Sequence, residues 1–419
     1  MKSVISETGL DPDNARIEHE MSTPINMLTI EPVSLSSPVE WGLPPSKSHL
    51  IRWLALISQT KQEVFLTFNG TPGNDVISMS KCIERMGSSI EEQDSGWLVS
   101  GSPGLNPDSL FLDCGNSGTT ANFLTAISAC NIGTVSLDGD RTLRSRSSKE
   151  LCSTLRQMGC TIDSDSVPRV VSGGIENYDV LHDWSRTSQG LSSLMIASPR
   201  FEEELRISLS GESVSSGYWM LTQEICISCG SKMTVEGDEA ILPPWEIDIP
   251  EGIEIPPEES LRPVAILLSH LHGVDFETGL EDSGIGISRA IKSVEEREKE
   301  VFLGEASDII TPIAAIMAMG DGGRISGAAH ARGKESDRIS KTVELLGSFK
   351  LSSKETDDGL LIQGGQCPVR PKEPVETHGD HRLAMTAMAL ASKTGGTILE
   401  PECSAVTDPT FIDKIISLG

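Results

Sequence analysis

Basic residues are scarce in this sequence: 34 Lys and Arg stand against 61 Asp and Glu, leaving a formal charge of −27 over 419 residues. A chain so short of cations lacks the broad positive surface that displaces counterions from phosphates, which argues against a nucleic-acid partner. The excess negative charge keeps the chain in solution instead. Long apolar runs are missing too. None approaches the roughly eighteen residues of a membrane span, so no membrane association and a cytoplasmic location are expected. An even, clustered cysteine framework is also lacking. Nine cysteines scattered along a long chain suit reduced thiols rather than disulfides. The one C-x-x-C, Cys226 and Cys229, falls in a helical pattern with no second pair nearby and reads as structural. His270 and His272 read as ordinary helix-end residues. Residues 1–26 have neither a basic start nor an apolar core. They carry Glu7, Asp11, Asp13, Glu18 and Glu20, and Met21 and Met27 offer alternative starts, so the segment reads as a flexible acidic extension.

What the chain does have is globular composition, 37% apolar, and length enough for two cores. Six stretches share one design, a polar start followed by an almost wholly apolar run of helix length. They are "SKSHLIRWLALIS" at 46, "NSGTTANFLTAISA" at 116, "TSQGLSSLMIAS" at 187, "SLRPVAILLSHL" at 260, "DIITPIAAIMAMG" at 308 and "DHRLAMTAMALAS" at 380. A helix apolar on nearly every side must be buried, and recurrence at mostly similar intervals, the fourth being shorter, implies a repeated supersecondary unit. Each run is trailed by an amphipathic segment, several ending at Gly, the expected left-handed helix cap. Short β-rich runs such as "EVFLTF", "TVSLDG" and "LRISLSG" lie between. The expected fold is α/β, with six repeated β-rich units, each holding one buried and one outer helix. Six units exceed a single core, so three per domain is the natural division.

The polar residues of the buried helices gather at their N-terminal ends, where free N–H groups and the helix dipole favour anions. Capping accounts for Asn116, Thr187 and Asp308 taken singly. It does not account for Lys47, Arg52 and Arg382, since a cation at a helix N-terminus opposes the dipole. Something anionic is expected to compensate them, in a site between the domains. The stretch "HARGKESDR" adds Lys334 and Arg338, spaced i, i+4 as on one helix face, with Glu335 within reach of Arg338.

In order along the chain, "PPSKSHLIR", "CGNSGTTAN", "GDRTLRSR", "TSQ", "SSGY", "SDIITP", "HARGKESDR" and "GDHRLAM" resemble the motifs of the 5-enolpyruvylshikimate-3-phosphate synthase family, from about residue 28 to the C-terminus. The resemblance implies two domains, residues 27–45 plus 255–419 and residues 46–254, with the active site in the cleft between them. It implies transfer of the enolpyruvyl group of phosphoenolpyruvate to the 5-hydroxyl of shikimate 3-phosphate, with release of phosphate. The expected partners are these two small molecules, the expected state is a monomer, and no cofactor or metal is called for.

Matched residue by residue, the resemblance places Ser48 and Arg52 on the shikimate carboxylate and Lys47 near the 5-hydroxyl and phosphoenolpyruvate. Asn116 and Gly118 fall in the loop beside phosphoenolpyruvate, and Arg146 and Gln189 on its phosphate. Gln189 also reaches shikimate 3-phosphate. Thr187, Ser188, Ser215 and Lys334 fall on the phosphate of that substrate, with Tyr218 shaping its side and His330 in contact with it. Arg338 and Arg382, with His381, fall around the phosphoenolpyruvate carboxylate. Arginine suits such duties because its planar fork pairs bidentately with carboxylate or phosphate. The chemistry is addition followed by elimination, which needs a base for the hydroxyl and an acid for the methylene carbon. Asp308, assisted by Lys47, is the expected base and Glu335 the expected acid.

Three positions depart from the family pattern. Val406 stands where a Lys is usual, Asn122 where an Arg is usual, and Glu258 is the one acid that aligns at the opening of the fourth unit. The competing readings are UDP-N-acetylglucosamine 1-carboxyvinyltransferase, whose loop signature is absent around "GDRTLRSR", and a non-catalytic anion-binding relative.

Overall fold

The computed structural model describes residues 26–104, 110–131, 133–280 and 285–419. The acidic extension expected over residues 1–26 lies, up to residue 25, outside the described residues. Each apolar run forms the buried helix its composition demands: Lys47–Ile57, Gly118–Ala129, Gln189–Ala197, Arg262–His272, Ile310–Met319 and His381–Thr394. In the fifth, Ile310 to Ala318 are buried without a break. The amphipathic segments form the outer helices, for example Asn74–Arg85 and Lys149–Gln157, with one apolar side turned inward.

Four units carry four-stranded sheets of one pattern, a parallel pair extended by an antiparallel hairpin. In one, Leu110–Asp113 runs parallel to Thr134–Asp138 across the helix Gly118–Ala129. Arg169–Ser172 and Thr161–Ile162 then add antiparallel strands. Burial alternates as a half-covered sheet requires: in Leu205–Ser210 the residues Leu205, Ile207 and Leu209 point inward. The remaining two units depart from the expected regularity. Their sheets have only two strands, Met27–Ile30 against Leu399–Gly396, and Val39–Glu40 beside Phe276–Glu277. Val39–Glu40 and Phe276–Glu277, two residues each, are too short to show a period, so nothing in the sequence marks that unit as thin.

Buried side chains form two separate clusters. One draws on residues 50–255, the other on Ile30, Trp41, Leu43 and residues 261–415. The chain passes between them twice, and the two passages run side by side. The Ser46 N–H donates to Pro256 O at 2.8 Å, Glu258 N–H to Pro44 O at 2.8 Å, and Lys47 N–H to the Glu258 carboxylate at 2.9 Å. This double crossing fixes the N-terminal end of Lys47–Ile57 at the boundary between the two cores.

Buried imidazoles give the fold a pH signature. Burial pushes His49 and His182 down from 6.5 to about 4, with Arg52 adding to the effect on His49. Burial, helped by Lys334, takes His330 to about 4 as well. Between pH 6.5 and 4 the unfolded chain therefore binds protons that the folded chain refuses, so stability falls as pH drops through that window. Thermal unfolding followed from pH 7.5 to pH 5 is expected to show a falling midpoint; a flat or rising midpoint contradicts these shifts.

Candidate active site

The N-terminal ends of the buried helices line one cleft of about 880 Å³ between the two cores. Lys47 opens the first helix, and its Nζ lies 3.0 Å from Asp75 Oδ2 at the start of the next, outer helix. Arg52, one turn on, is buried, and no carboxylate among the described residues pairs with its guanidinium. It donates to Thr222 Oγ1 at 2.8 Å, Ser48 O at 2.8 Å and Tyr218 O at 2.9 Å. Burial lowers its pKa to about 10, so it remains charged at neutral pH. An uncompensated buried guanidinium that lines a cleft is a receptor for an anion.

Opposite, Arg338 is 1% exposed and engaged by three carboxylates. Asp380 holds it from behind, accepting from Nε at 2.8 Å; Asp308 accepts from Nη1 at 2.6 Å; Glu335 accepts from Nη2. Lys334 Nζ reaches the same Asp308 oxygen at 3.5 Å, and Tyr218 Oη donates to the other Asp308 oxygen at 2.9 Å. Burial alone would raise the Asp308 carboxyl, but Lys334, Arg338 and Arg382 outweigh it and hold it well below 3.8. Glu335 follows the same logic: burial raises it, and Arg338, joined by Arg146 and Lys47, carries it well below 4.5. Both carboxylates are ionised at neutral pH. Among the described residues the Arg382 guanidinium donates to Ser260 alone, to its O at 2.8 Å and its Oγ at 2.6 Å. His381 beside it has neither ring nitrogen bonded, and burial with Arg382 holds it neutral.

The third wall comes from the turn "TSQG". Thr187 Oγ1 accepts from Gln189 N–H at 3.2 Å, and Ser188 lines the cleft beside it. The next residue must be Gly190, since a Cβ there would lie 2.4 Å from the buried His182 ring. Ser215 sits with φ 52° at the end of the helix Ser216–Ser228. Its hydroxyl meets His330 Nε2 at 3.1 Å, while its N–H donates to Gly304 O at 3.0 Å in the other half of the chain. Arg146 lies 3.8 Å from Glu335 and donates to Asn116 O at 3.1 Å.

All the expected site residues except Asn116 line this one cleft. Asn116 stands behind Arg146 and donates to Asp140 at 2.7 Å. Two expectations need correction. Lys334 and Arg338 do not share an α-helical face: Ala329–Gly333 is a 3-10 turn, and the helix starts only at Arg338, where Asp337 accepts from Ser340 N–H at 3.2 Å. The two cations meet instead through Asp308. Nor do Asn116 and Asp308 cap their helices. Ser117 caps the first, and Asp308 lies in a 3-10 turn with its carboxylate spent on Tyr218 and Arg338. The sequence reading missed Asp75, which neutralises Lys47, and Asp380, which anchors Arg338 and caps its own helix by accepting from Arg382 N–H at 2.9 Å. Asp380 could have been found from "GDHR", where Asp precedes an apolar run as an N-cap does. Asp75 carries no comparable signal.

Glu335, Asp380 and His381 bring potential metal-ligand atoms within 4.8 Å of one another. Arg338 already donates to both carboxylates, so their charge is neutralised by a guanidinium and the cluster does not fit a cation. The cleft as a whole is cationic. Ten Lys and Arg line it against six Asp and Glu, inside a chain of net charge −27.

Residues 32–261 and 257–415 match the family model described as EPSP synthase (3-phosphoshikimate 1-carboxyvinyltransferase). The chain belongs to this family. A 3-phosphoshikimate 1-carboxyvinyltransferase of Korarchaeum cryptofilum is 30% identical over 432 residues, covering 94% of this chain and 98% of the relative. One of Halobacterium salinarum is 28% identical and covers 90% of this chain and 95% of its own. The solved structure of EPSP synthase from Acinetobacter baumannii shares the fold, with a TM-score of 0.73 at 20% identity, covering 94% of this chain and 98% of that one.

The three departures from the EPSP synthase pattern have distinct surroundings. Glu258 binds Lys47 N–H and the Ser260 hydroxyl, so it braces the crossing between the cores. Val406 is buried at the end of the turn Pro401–Val406 and supplies no charge. Asn122 donates to Gln189 Oε1 at 2.7 Å. Gly118 faces the same corner: an added Cβ would stand 3.4 Å from Arg146 Nη1 and 3.8 Å from Gln189 Oε1. Both neighbours are ends of flexible side chains, so the fold should tolerate Gly118→Ala. The methyl group instead takes space from the ligand corner, so KM for phosphoenolpyruvate is expected to rise by roughly tenfold with little change for shikimate 3-phosphate. Unchanged kinetics for both substrates would place this loop outside the site.

Proposed function

We infer that the chain is a 3-phosphoshikimate 1-carboxyvinyltransferase, which moves the enolpyruvyl group of phosphoenolpyruvate to the 5-hydroxyl of shikimate 3-phosphate and releases phosphate. The observation that carries this reading beyond family membership is the excess of cations in the cleft of an acidic chain, since each substrate brings a phosphate and a carboxylate. Residues 27–45 with 255–419 form one domain and residues 46–254 the other, and the enzyme works as a cytoplasmic monomer. Thr187, Ser188, Ser215, Tyr218, His330 and Lys334 surround the phosphate of shikimate 3-phosphate, while Ser48 and Arg52 take its carboxylate. Arg146, Gln189 and the Asn116–Gly118 loop receive the phosphate of phosphoenolpyruvate, and Arg338 and Arg382, beside His381, its carboxylate.

Four of the five N–H donors of Arg338 are engaged by Asp380, Asp308 and Glu335, so a substrate carboxylate that pairs with it bidentately displaces Asp308 or Glu335 while Asp380 keeps the guanidinium in place. That exchange has a chemical consequence. Anions bound at Lys334, Arg338 and Arg382 cancel the fields that hold Asp308 and Glu335 ionised, so the affinity of both carboxylates for a proton rises when the substrates arrive. Asp308, assisted by Lys47, then takes the proton of the 5-hydroxyl. Glu335, once protonated, delivers a proton to the methylene carbon, and the tetrahedral adduct expels phosphate as the transfers reverse. Isothermal titration is expected to show saturable binding of shikimate 3-phosphate without phosphoenolpyruvate and no heat with UDP-N-acetylglucosamine. Binding of the nucleotide sugar alone would favour the sister transferase. Binding of shikimate 3-phosphate with no turnover would favour an anion-binding relative.

A further inference from the structure

The helix Ser216–Ser228 receives its N-terminal cap from the opposite half of the chain. Its own N-cap residue, Ser215, stands in the left-handed region at φ 52° and ψ 44°, and the Ser215 side chain caps no helix N–H. Glu305 takes over that duty. One oxygen, Oε2, accepts from both the Ser216 hydroxyl and the Gly217 N–H, the latter at 3.3 Å, and its negative charge suits a helix N-terminus. The carbonyl of Gly304, next to it, accepts from the Ser215 N–H at 3.0 Å. The two sides belong to different cores: Leu303 and Ala306 are buried in one, Ile225 and Cys226 of the helix in the other. Gly286 packs closely on Glu305, since an added Cβ there would lie 2.8 Å from the Glu305 Cβ.

The cap matters because a residue other than Gly seldom adopts the Ser215 conformation, and holds it only where the surroundings impose it. Gly304 and Glu305 are those surroundings. Released from them, Ser215 would relax to a common backbone region and carry its hydroxyl away from His330 Nε2, which it meets at 3.1 Å in the cleft. Glu305 is not among the residues that line the cleft, whereas Ser215 and Tyr218 are. We propose that Glu305 is a positioning residue for shikimate 3-phosphate, acting across the two halves of the chain by holding the turn at residues 215–217 rather than by touching the substrate. This rests on the assignment of the phosphate of that substrate to Ser215.

Titration and kinetics of Glu305 variants test it. Glu305→Ala removes the acceptor, and both Kd and KM for shikimate 3-phosphate are expected to rise about five- to thirtyfold, while kcat and KM for phosphoenolpyruvate at saturating shikimate 3-phosphate move much less. Glu305→Gln keeps an oxygen that can accept from Ser216 and Gly217, so most of the affinity should return. In a Ser215→Ala background, Glu305→Ala should add little, because the hydroxyl it positions is gone. Unchanged or tighter binding of shikimate 3-phosphate by Glu305→Ala, or a loss of the same size with and without Ser215, overturns the positioning role while wild-type binding stands. So does a loss of affinity for both substrates with a collapsed thermal midpoint, which would make Glu305 structural. Wild-type protein that binds no shikimate 3-phosphate would instead overturn the phosphate assignment, and this proposal with it.

Discussion

Asp308→Asn is expected to lower turnover by roughly two to four powers of ten while leaving shikimate 3-phosphate binding nearly intact. The substitution keeps the size of the side chain and an oxygen that can accept from Tyr218 or Arg338, which now hold the two carboxylate oxygens at 2.9 Å and 2.6 Å. It removes the proposed proton acceptor. A capping role, which would predict near-normal activity because Asn caps about as well as Asp, has no basis in the geometry: the helix beyond begins at Ile310, and no side chain caps it. Turnover, substrate affinity and thermal midpoint measured on one preparation distinguish the outcomes. Near-normal turnover would remove Asp308 as the base. Lost binding with a collapsed midpoint would make it structural.

The second large effect concerns stability. Arg338→Met removes the cation shared by Asp380, Glu335 and Asp308, of which Asp380 is fully buried. Breaking a buried ion pair by deleting one partner costs about 3–5 kcal/mol, since the remaining charge stays out of water. Here more than one carboxylate is stranded. Relieved of Arg338, Asp308 and Glu335 should protonate more readily, because burial raises both and one of the cations opposing it is gone. The sign of the pH dependence follows. A carboxyl whose folded pKa lies above its unfolded value destabilises more as pH rises, so the loss from Arg338→Met should be larger at pH 7.5 than at pH 5. Denaturant unfolding of wild type and variant at both pH values reads this directly. A loss below about 1 kcal/mol at pH 7.5 would show that the cluster holds little energy.

Much of this architecture was legible because its physical cause is local. A helix such as Ile310–Met319, apolar on every side, can only be buried, and six such runs at a recurring interval announce six units. The cationic site was legible from Lys47 and Arg382, whose charges sit at helix starts where the dipole disfavours them; Arg52, expected there too, lies in mid-helix. Other features depend on contacts that no local pattern encodes. The strand Ile253–Glu254 completes a sheet with Glu63–Thr67, far back along the chain. The backbone from Ala329 to Asp337 follows a cap and a 3-10 turn, although its charges have helical spacing. Asp75 meets the site through another side chain, Lys47, so its place there appears only when the helices are brought together.

The central claim is that this cleft joins phosphoenolpyruvate to shikimate 3-phosphate, and phosphate release tests it most directly. Wild-type protein should release inorganic phosphate from phosphoenolpyruvate when shikimate 3-phosphate is present, in amounts equal to the enolpyruvyl product formed, and none when UDP-N-acetylglucosamine takes its place. Equal release with the nucleotide sugar, or no release with shikimate 3-phosphate, contradicts the account.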